Sequence, residues 1–285
     1  MTDIRDVGRQ AEARLRQGAA QAAPGIEALA RFGYASKGAV YLAIGALALG
    51  VALGRGGATT DPQGALLRLQ DLPLGTPLTG LLTLGLLGYA LWQLVRAVLD
   101  PERQGHGAAG LVKRAGYLLS AVANLGVALF AGRLALLGHA SRQQDSEARA
   151  AGQVLALPGG GLLLALAGVA LLGVAANALY SAYGARFMKR VALTGEGVRY
   201  AETLQRVGQV GLGARGVVLG LIGAFLLLAA WQRQPGRALG LSEVLTWLRE
   251  RPAGGLLLAL IAAGTVCYGL WCGVQARYRR VQVQN

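Results

Sequence analysis

The chain has 285 residues, a 54% hydrophobic fraction, 44 glycines and only 15% charged residues, against about 25% charged in a soluble domain. Its formal charge is +14, but the cations cluster at the ends of long apolar blocks, with no basic stripe, zinc module or RNA-reading aromatic motif. That pattern excludes a nucleic-acid partner and points to a membrane, where Lys and Arg gather on cytoplasmic flanks.

Residues 1–30 precede the first apolar block. They carry acidic residues and no apolar run, so they are not a secretory signal. Within 2–20, Ile4, Val7, Ala11 and Leu15 fall on one side of a helix. Arg5, Arg9, Arg14 and Arg16 would then favour an anionic leaflet; a solvated tail is the equal alternative. Six stretches follow that are long and apolar enough to cross a bilayer: 33–54, 77–99, 115–138, 159–183, 208–231 and 254–275. With both termini on one side, that side holds 19 of the 28 Lys and Arg. The expectation is a multi-pass membrane protein with cytoplasmic termini.

The odd-numbered spans begin alike. The first reads Arg31, Gly33, Tyr34, Lys37, Gly38, Tyr41 and Gly45, and the fifth Gly211, Arg215, Gly216 and Gly223 at the same spacing. The third is a degraded copy: Arg114, Gly116 and Tyr117, then Ser120-Ala121 in place of cation-Gly, then Asn124. The even spans share Pro-x-Gly at their start (Pro73/Gly75, Pro158/Gly160, Pro252/Gly254) and a stripe at i, i+4, i+7: Gly85, Tyr89, Trp92; Gly173, Asn177, Tyr180; Gly264, Tyr268, Trp271. These offsets share one helical face. Pro fits the first turn of a helix, where its missing N–H is unneeded. The units cover 31–100, 112–184 and 205–276, with a basic cytoplasmic tail at 277–285. The predicted fold is all-α: a polytopic membrane protein with three tandem helix hairpins around a pseudo-threefold axis. Before each Pro-x-Gly a short mixed segment reads as an amphipathic helix on the outer membrane surface, with an ordinary ordered loop the equal alternative for the first two. In the third, Ser242 is the expected N-cap.

The Arg-x-Gly-Tyr-Ala-x-cation-Gly-x-Val-Tyr pattern, in three two-helix copies, resembles a bacterial family of uncharacterised six-span membrane proteins. The match is good in the first unit, fair in the third and weak in the second. The resemblance implies a three-repeat membrane fold and brings no catalytic or ligand residues with it.

No Asp or Glu falls inside a span, and His106 and His139 lie at or outside span ends. Ion-coupled transporters place such groups within the membrane, and no convergent Ser/His pair or metal-ligand spacing is present. The reading is therefore of a non-enzyme with no metal and no cofactor. Cys267 and Cys272, five apart, sit on different faces and read as packing residues. Lys37 and Arg215 either hold an anionic group such as a lipid phosphate or, more simply, snorkel to the headgroups; Arg133 has the same simple reading. Asn124 and Asn177 stand where the first unit has Tyr41 and Tyr89, and are expected to link helices by hydrogen bonds or, on the sharper reading, to touch a ligand. Tyr89, Trp92, Tyr180, Tyr183, Tyr268 and Trp271 read as an interfacial belt or as the lining of a vestibule. Gly50/Gly54, Gly216/Gly220 and Gly269/Gly273, with Gly38, Gly45 and Gly223, read as close-packing positions and secondarily as a dimer face.

Two functions follow. The first is a scaffold or accessory subunit that binds membrane lipid, anionic lipid included, or a partner membrane protein or second copy of itself. The alternative is a carrier or channel for a small anion or lipid-like solute, its pore lined by Lys37, Arg215, Arg96 and the aromatic stripe.

Overall fold

The computed structural model describes residues 23–55, 58–100, 107–140 and 146–279; segment 2–20, His106 and most of the basic tail lie outside them. Six long helices form: α1 (Ala23–Ala52), α3 (Gly75–Val98), α4 (Ala108–Leu137), α6 (Gly160–Tyr183), α8 (Ala201–Gln232) and α10 (Gly254–Tyr278). Each is long and apolar enough to cross a membrane. Helices α1 and α8, of 30 and 32 residues, start well before the apolar blocks that announce them. Hydropathy marks the stretch that lipid can bury, whereas a helix continues as long as backbone bonds are made.

The three mixed segments are helical too: α2 (Pro62–Gln70), α5 (Ser146–Leu155) and α9 (Leu241–Arg249), and a single turn, α7 (Glu196–Arg199), precedes α8. Asp61 caps α2 by accepting from Gly64 N–H at 2.8 Å, with Pro62 in the first turn. Helix α9 is capped differently from expectation. Its N-cap is Gly240, whose N–H donates to the Glu243 carboxylate at 3.1 Å, while Ser242 lies inside the first turn and donates to Thr59 O at 3.0 Å. Nor do these helices rest their apolar faces on lipid. Ala65 and Leu66 of α2 pack with Val40, Ile44, Leu82 and Leu134, and Val244, Leu245 and Leu248 of α9 with Ala48, Val51 and Leu258. Protein buries the faces because each short helix bridges its own unit to the first span of the next. Together α2, α5 and α9 cover one end of the bundle, and the bond of Thr59 with Thr246 at 2.7 Å ties two of the three patches.

Pro-x-Gly marks the hinge from short helix to long. Pro sits in the turn just before the long helix and not in its first turn, since α3, α6 and α10 begin at Gly75, Gly160 and Gly254. The middle residue is left-handed in all three: Leu74 (φ 63), Gly159 (φ 74) and Ala253 (φ 58). The glycine is required by space. A Cβ there would come within 2.0 Å of Gln70 O, 1.8 Å of Val154 O or 2.0 Å of Arg249 O.

Across the bundle the long helices lie in the order α4–α3–α1–α10–α8–α6. The closest pairs join the second helix of one unit to the first of the next: α3 with α4, α6 with α8, α10 with α1. Gly38 and Gly269 cross here, a Cβ on either lying 2.9 Å from the other's carbonyl oxygen; Gly223 crosses Gly168 in the same way at 3.0 Å. Gly45 faces Val266, Gly216 faces Leu179 and, more loosely, Gly220 faces Ala175. These glycines let the backbones approach, as their spacing predicts. Gly50, Gly54 and Gly273 meet nothing within 4 Å, and Gly54 ends its helix at φ +72, so the 50/54 pair is not a packing motif.

Within a unit the helices cross more loosely, α1 with α3 and α8 with α10. A Cβ on Gly33 would sit 2.6 Å from Tyr89 N, and one on Gly211 2.5 Å from Tyr268 N. The second unit breaks the pattern. Helices α4 and α6 form the two ends of the row and do not pack along one another. Their aligned glycines, Gly116 and Gly173, have no atom within 4 Å of a Cβ position.

Candidate functional site: a layer of buried cations and tyrosines

Lys37 lies near the middle of α1 and Arg215 near the middle of α8, some 20 Å from the helix starts at 1.5 Å per residue. Lys37 is 4% exposed. Burial replaces snorkelling at Lys37, because α3 and α10 close over the ammonium; Arg215 is half-buried.

The two cations are held alike. Lys37 Nζ donates to Tyr89 Oη at 3.0 Å, and Arg215 Nη1 donates to Tyr268 Oη. Each bond runs from the first helix of a unit to the second, 52 and 53 residues along the chain. Each is therefore the same repeat bond, a latch across the hairpin. Aromatic faces complete the cage. Lys37 Nζ lies 4.2 Å from the Tyr89 ring centre and 5.9 Å from that of Tyr41. Arg215 lies 4.9 Å from Tyr268, and Tyr41 meets Tyr268 edge-on at 4.8 Å. Lys37, Tyr41, Tyr268 and Arg215 thus form one continuous array between units one and three. Cys272, fully buried, closes it beside Gly38.

No carboxylate pairs with Lys37 or Arg215 among the described residues. A cation at hydrocarbon depth costs about 3 kcal/mol on insertion scales. A desolvated aromatic face returns about 2 kcal/mol, and a hydrogen bond to a charged group about 1.5–3 kcal/mol. The cage therefore offsets burial without neutralising the charge. Lys37 uses one of its three donors, so the layer keeps a net positive charge and unused donors.

A second tier lies nearer the end where the described chain starts and finishes. Arg96 is buried, donates to Gln93 Oε1 at 2.7 Å and stacks 3.7 Å from the Tyr117 ring. Arg279, also buried, donates to Gln275 Oε1 at 2.7 Å and lies 4.9 Å from Tyr34. Sequence reading missed Arg279, which falls in the stretch 277–285 read as a basic cytoplasmic tail. Nothing in its neighbours announces burial, because the segment Arg186–Arg190 and the strand-like pairing of Val191 with Arg279 fold over it. Tyr34 and Tyr41, by contrast, stand in the repeat motif and were legible as members of it.

Four residues of the aromatic stripe are interior. Trp92 and Trp271 are each 2% exposed, and Tyr89 and Tyr268 are buried. A lipid-facing belt is correct only for the second unit, where Tyr180 is 54% exposed and Tyr183 more so. Trp92 Nε1 is buried without a hydrogen-bond partner among the described residues. The asparagines do not link helices. Asn124 donates to Ser120 O of its own helix at 2.7 Å, and Asn177 is exposed on α6. Arg133 is exposed near the far end of α4. Lys37, Arg215 and Tyr268 are brought together; Asn124, Asn177, Tyr180 and Arg133 are not part of that array. In the second unit Ser120 stands at the cation's place and Asn177 at the tyrosine's. Both halves of the latch are missing in the hairpin that stands open.

The model of the family described as Domain of Unknown Function (DUF1206) matches the chain three times, at residues 32–100, 115–185 and 210–279. The chain is also 30% identical to "Uncharacterized protein YxxB" of Bacillus subtilis (strain 168) over 258 residues, which is 90% of this chain and 93% of that one. No solved structure matches. Three tandem matches that coincide with three helix hairpins leave one conclusion on kinship: this is a multi-pass membrane protein that belongs to the DUF1206 family.

Proposed function

We propose that the protein is a non-enzymatic component of the bacterial inner membrane that binds an anionic group between its spans, with Lys37 and Arg215 as the binding cations, and serves as a lipid-binding scaffold or accessory subunit. The observation that carries this reading is Lys37: buried, near mid-helix, and joined to Tyr89, with no acid paired to it among the described residues. Buried charges are ordinarily paired, and an anion from outside the chain would supply the pair. Arg215 offers the forked donor set that suits phosphate or carboxylate. The basic side carries the termini, which supports a cytoplasmic placement for them. A channel through the bundle finds less support, because α2, α5 and α9 cover the opposite end.

The test is thermal unfolding of the purified protein in neutral detergent, with phosphatidylglycerol or phosphatidylcholine added. Binding to the folded state alone raises the melting temperature with ligand concentration. The expected result is a rise with phosphatidylglycerol that Lys37→Gln and Arg215→Gln abolish. Because the cage returns about as much as burial costs, the same variants should melt close to wild type when anionic lipid is absent. An undiminished rise in both variants would remove the anion-binding reading.

A further inference from the structure

We infer that the anionic ligand is a membrane lipid and that it reaches the cations sideways, through the open hairpin between α4 and α6. This rests on the anion-binding reading above and adds ligand class and route. In units one and three a cation–tyrosine latch crosses the hairpin, beside a glycine pressed on the tyrosine backbone. Unit two has Ser120 and Asn177 at the latch positions, and open space at Gly116 and Gly173. Repeat register places Ser120 and Asn177 at the depth of Lys37–Tyr89 and Arg215–Tyr268, so the gap lies level with the cation layer and not above or below it.

Among the described residues, both ends of the bundle are covered. The short helices pack over one end. At the other, the 186–199 segment lies against α10, with Ala192 N–H donating to Tyr278 O at 2.7 Å and Phe187 edge-on to Trp271 at 4.7 Å. The lips of the gap suit an amphiphile. Ser120, Asn124 and Asn177 offer polar groups at the depth of the cation layer, while Leu119 and Val174 beside them are exposed to acyl chains. A hydrated anion would find no aqueous path there, whereas a lipid already lies in the plane of the gap.

The experiment uses the full chain in phosphatidylcholine nanodiscs, mixed with vesicles containing phosphatidylglycerol, with bound lipid followed by native mass spectrometry over time. Two variants probe the gap: Ser120→Lys with Asn177→Tyr, which rebuilds the latch, and Gly173→Leu, which places a side chain in open space and leaves the packing alone. The first adds interactions comparable to one charge-assisted bond, so phosphatidylglycerol uptake should slow by about tenfold or more in it, and Gly173→Leu should slow uptake in the same direction. Uptake at the wild-type rate in both variants would overturn the lateral route while leaving the anion site standing. Retention of phosphatidylglycerol by Lys37→Gln and Arg215→Gln would instead sink the anion site itself. Inorganic phosphate is the control for a soluble ligand. If it displaces phosphatidylglycerol, and its own binding is unchanged by the rebuilt latch, the ligand enters from water and the lipid proposal fails.

Discussion

At the residue scale the same amino acid has opposite meanings at aligned positions. Gly33 and Gly211 press on tyrosine backbones while the aligned Gly116 faces open space, and Gly85 and Gly264 press on Ser36 and Ala214 while the aligned Gly173 faces open space. Leucine at Gly33 or Gly211 should therefore destabilise by about 1–3 kcal/mol, the usual cost of overpacking. Leucine at Gly116 or Gly173 should leave the unfolding midpoint in detergent unchanged. Equal losses at all four would mean that the hairpin of unit two closes in solution. The alignment of these glycines was legible in the sequence, and so was the loss of cation and tyrosine in unit two. The consequence was not, because a repeat pattern reports which residues correspond and not which pairs touch. Lys37 shows the same limit. Its type and register were plain, but whether a cation snorkels or is enclosed depends on Tyr41, Tyr89 and Tyr268 arriving from elsewhere in the chain.

At the element scale the Pro-x-Gly hinges carry the turn from short helix to long. Leu74 and Ala253 hold left-handed backbone that Gly159 adopts freely, and an L-residue there costs roughly 1–2 kcal/mol. Leu74→Gly and Ala253→Gly should be neutral or stabilising, whereas Gly75→Ala and Gly254→Ala should each lower the melting temperature and yield. A fall on Leu74→Gly as large as on Gly75→Ala would show that the side chain, which is exposed, matters more than the backbone. Of the short helices, α9 was readable from the apolar periodicity of Leu241, Val244, Leu245 and Leu248, whereas α2 and α5 were not distinguishable from ordered loops. Where they rest was not readable, since an amphipathic face fits lipid and protein equally well, and only Val51, Leu258 and their neighbours decide for protein. The helix caps divide in the same way. Asp61 and Pro62 act locally and follow from the sequence, while Ser242 was diverted from capping by the distant Thr59.

At the scale of the whole molecule, six spans and three repeats were legible from composition and period, and the tandem family matches agree with both. The spatial order was not, because hydropathy gives each helix a length and no neighbour. Alternating spans with basic termini predict that a reporter active only in the cytoplasm works at the start of α1 and after α10 and fails in the 139–158 loop. Activity in that loop would reverse the orientation. One feature of the order bears on how the protein is made. The first and last spans are partners, α1 lying along α10 with Gly38 crossing Gly269. During synthesis the first span enters the bilayer with Lys37 already on it, and gains Tyr89 with the next span. It must then wait for nearly the whole remaining chain before Tyr268 and Cys272 arrive. A stalled or truncated product ending before α10 would hold a partly solvated cation in lipid, a ready mark for membrane quality-control proteases.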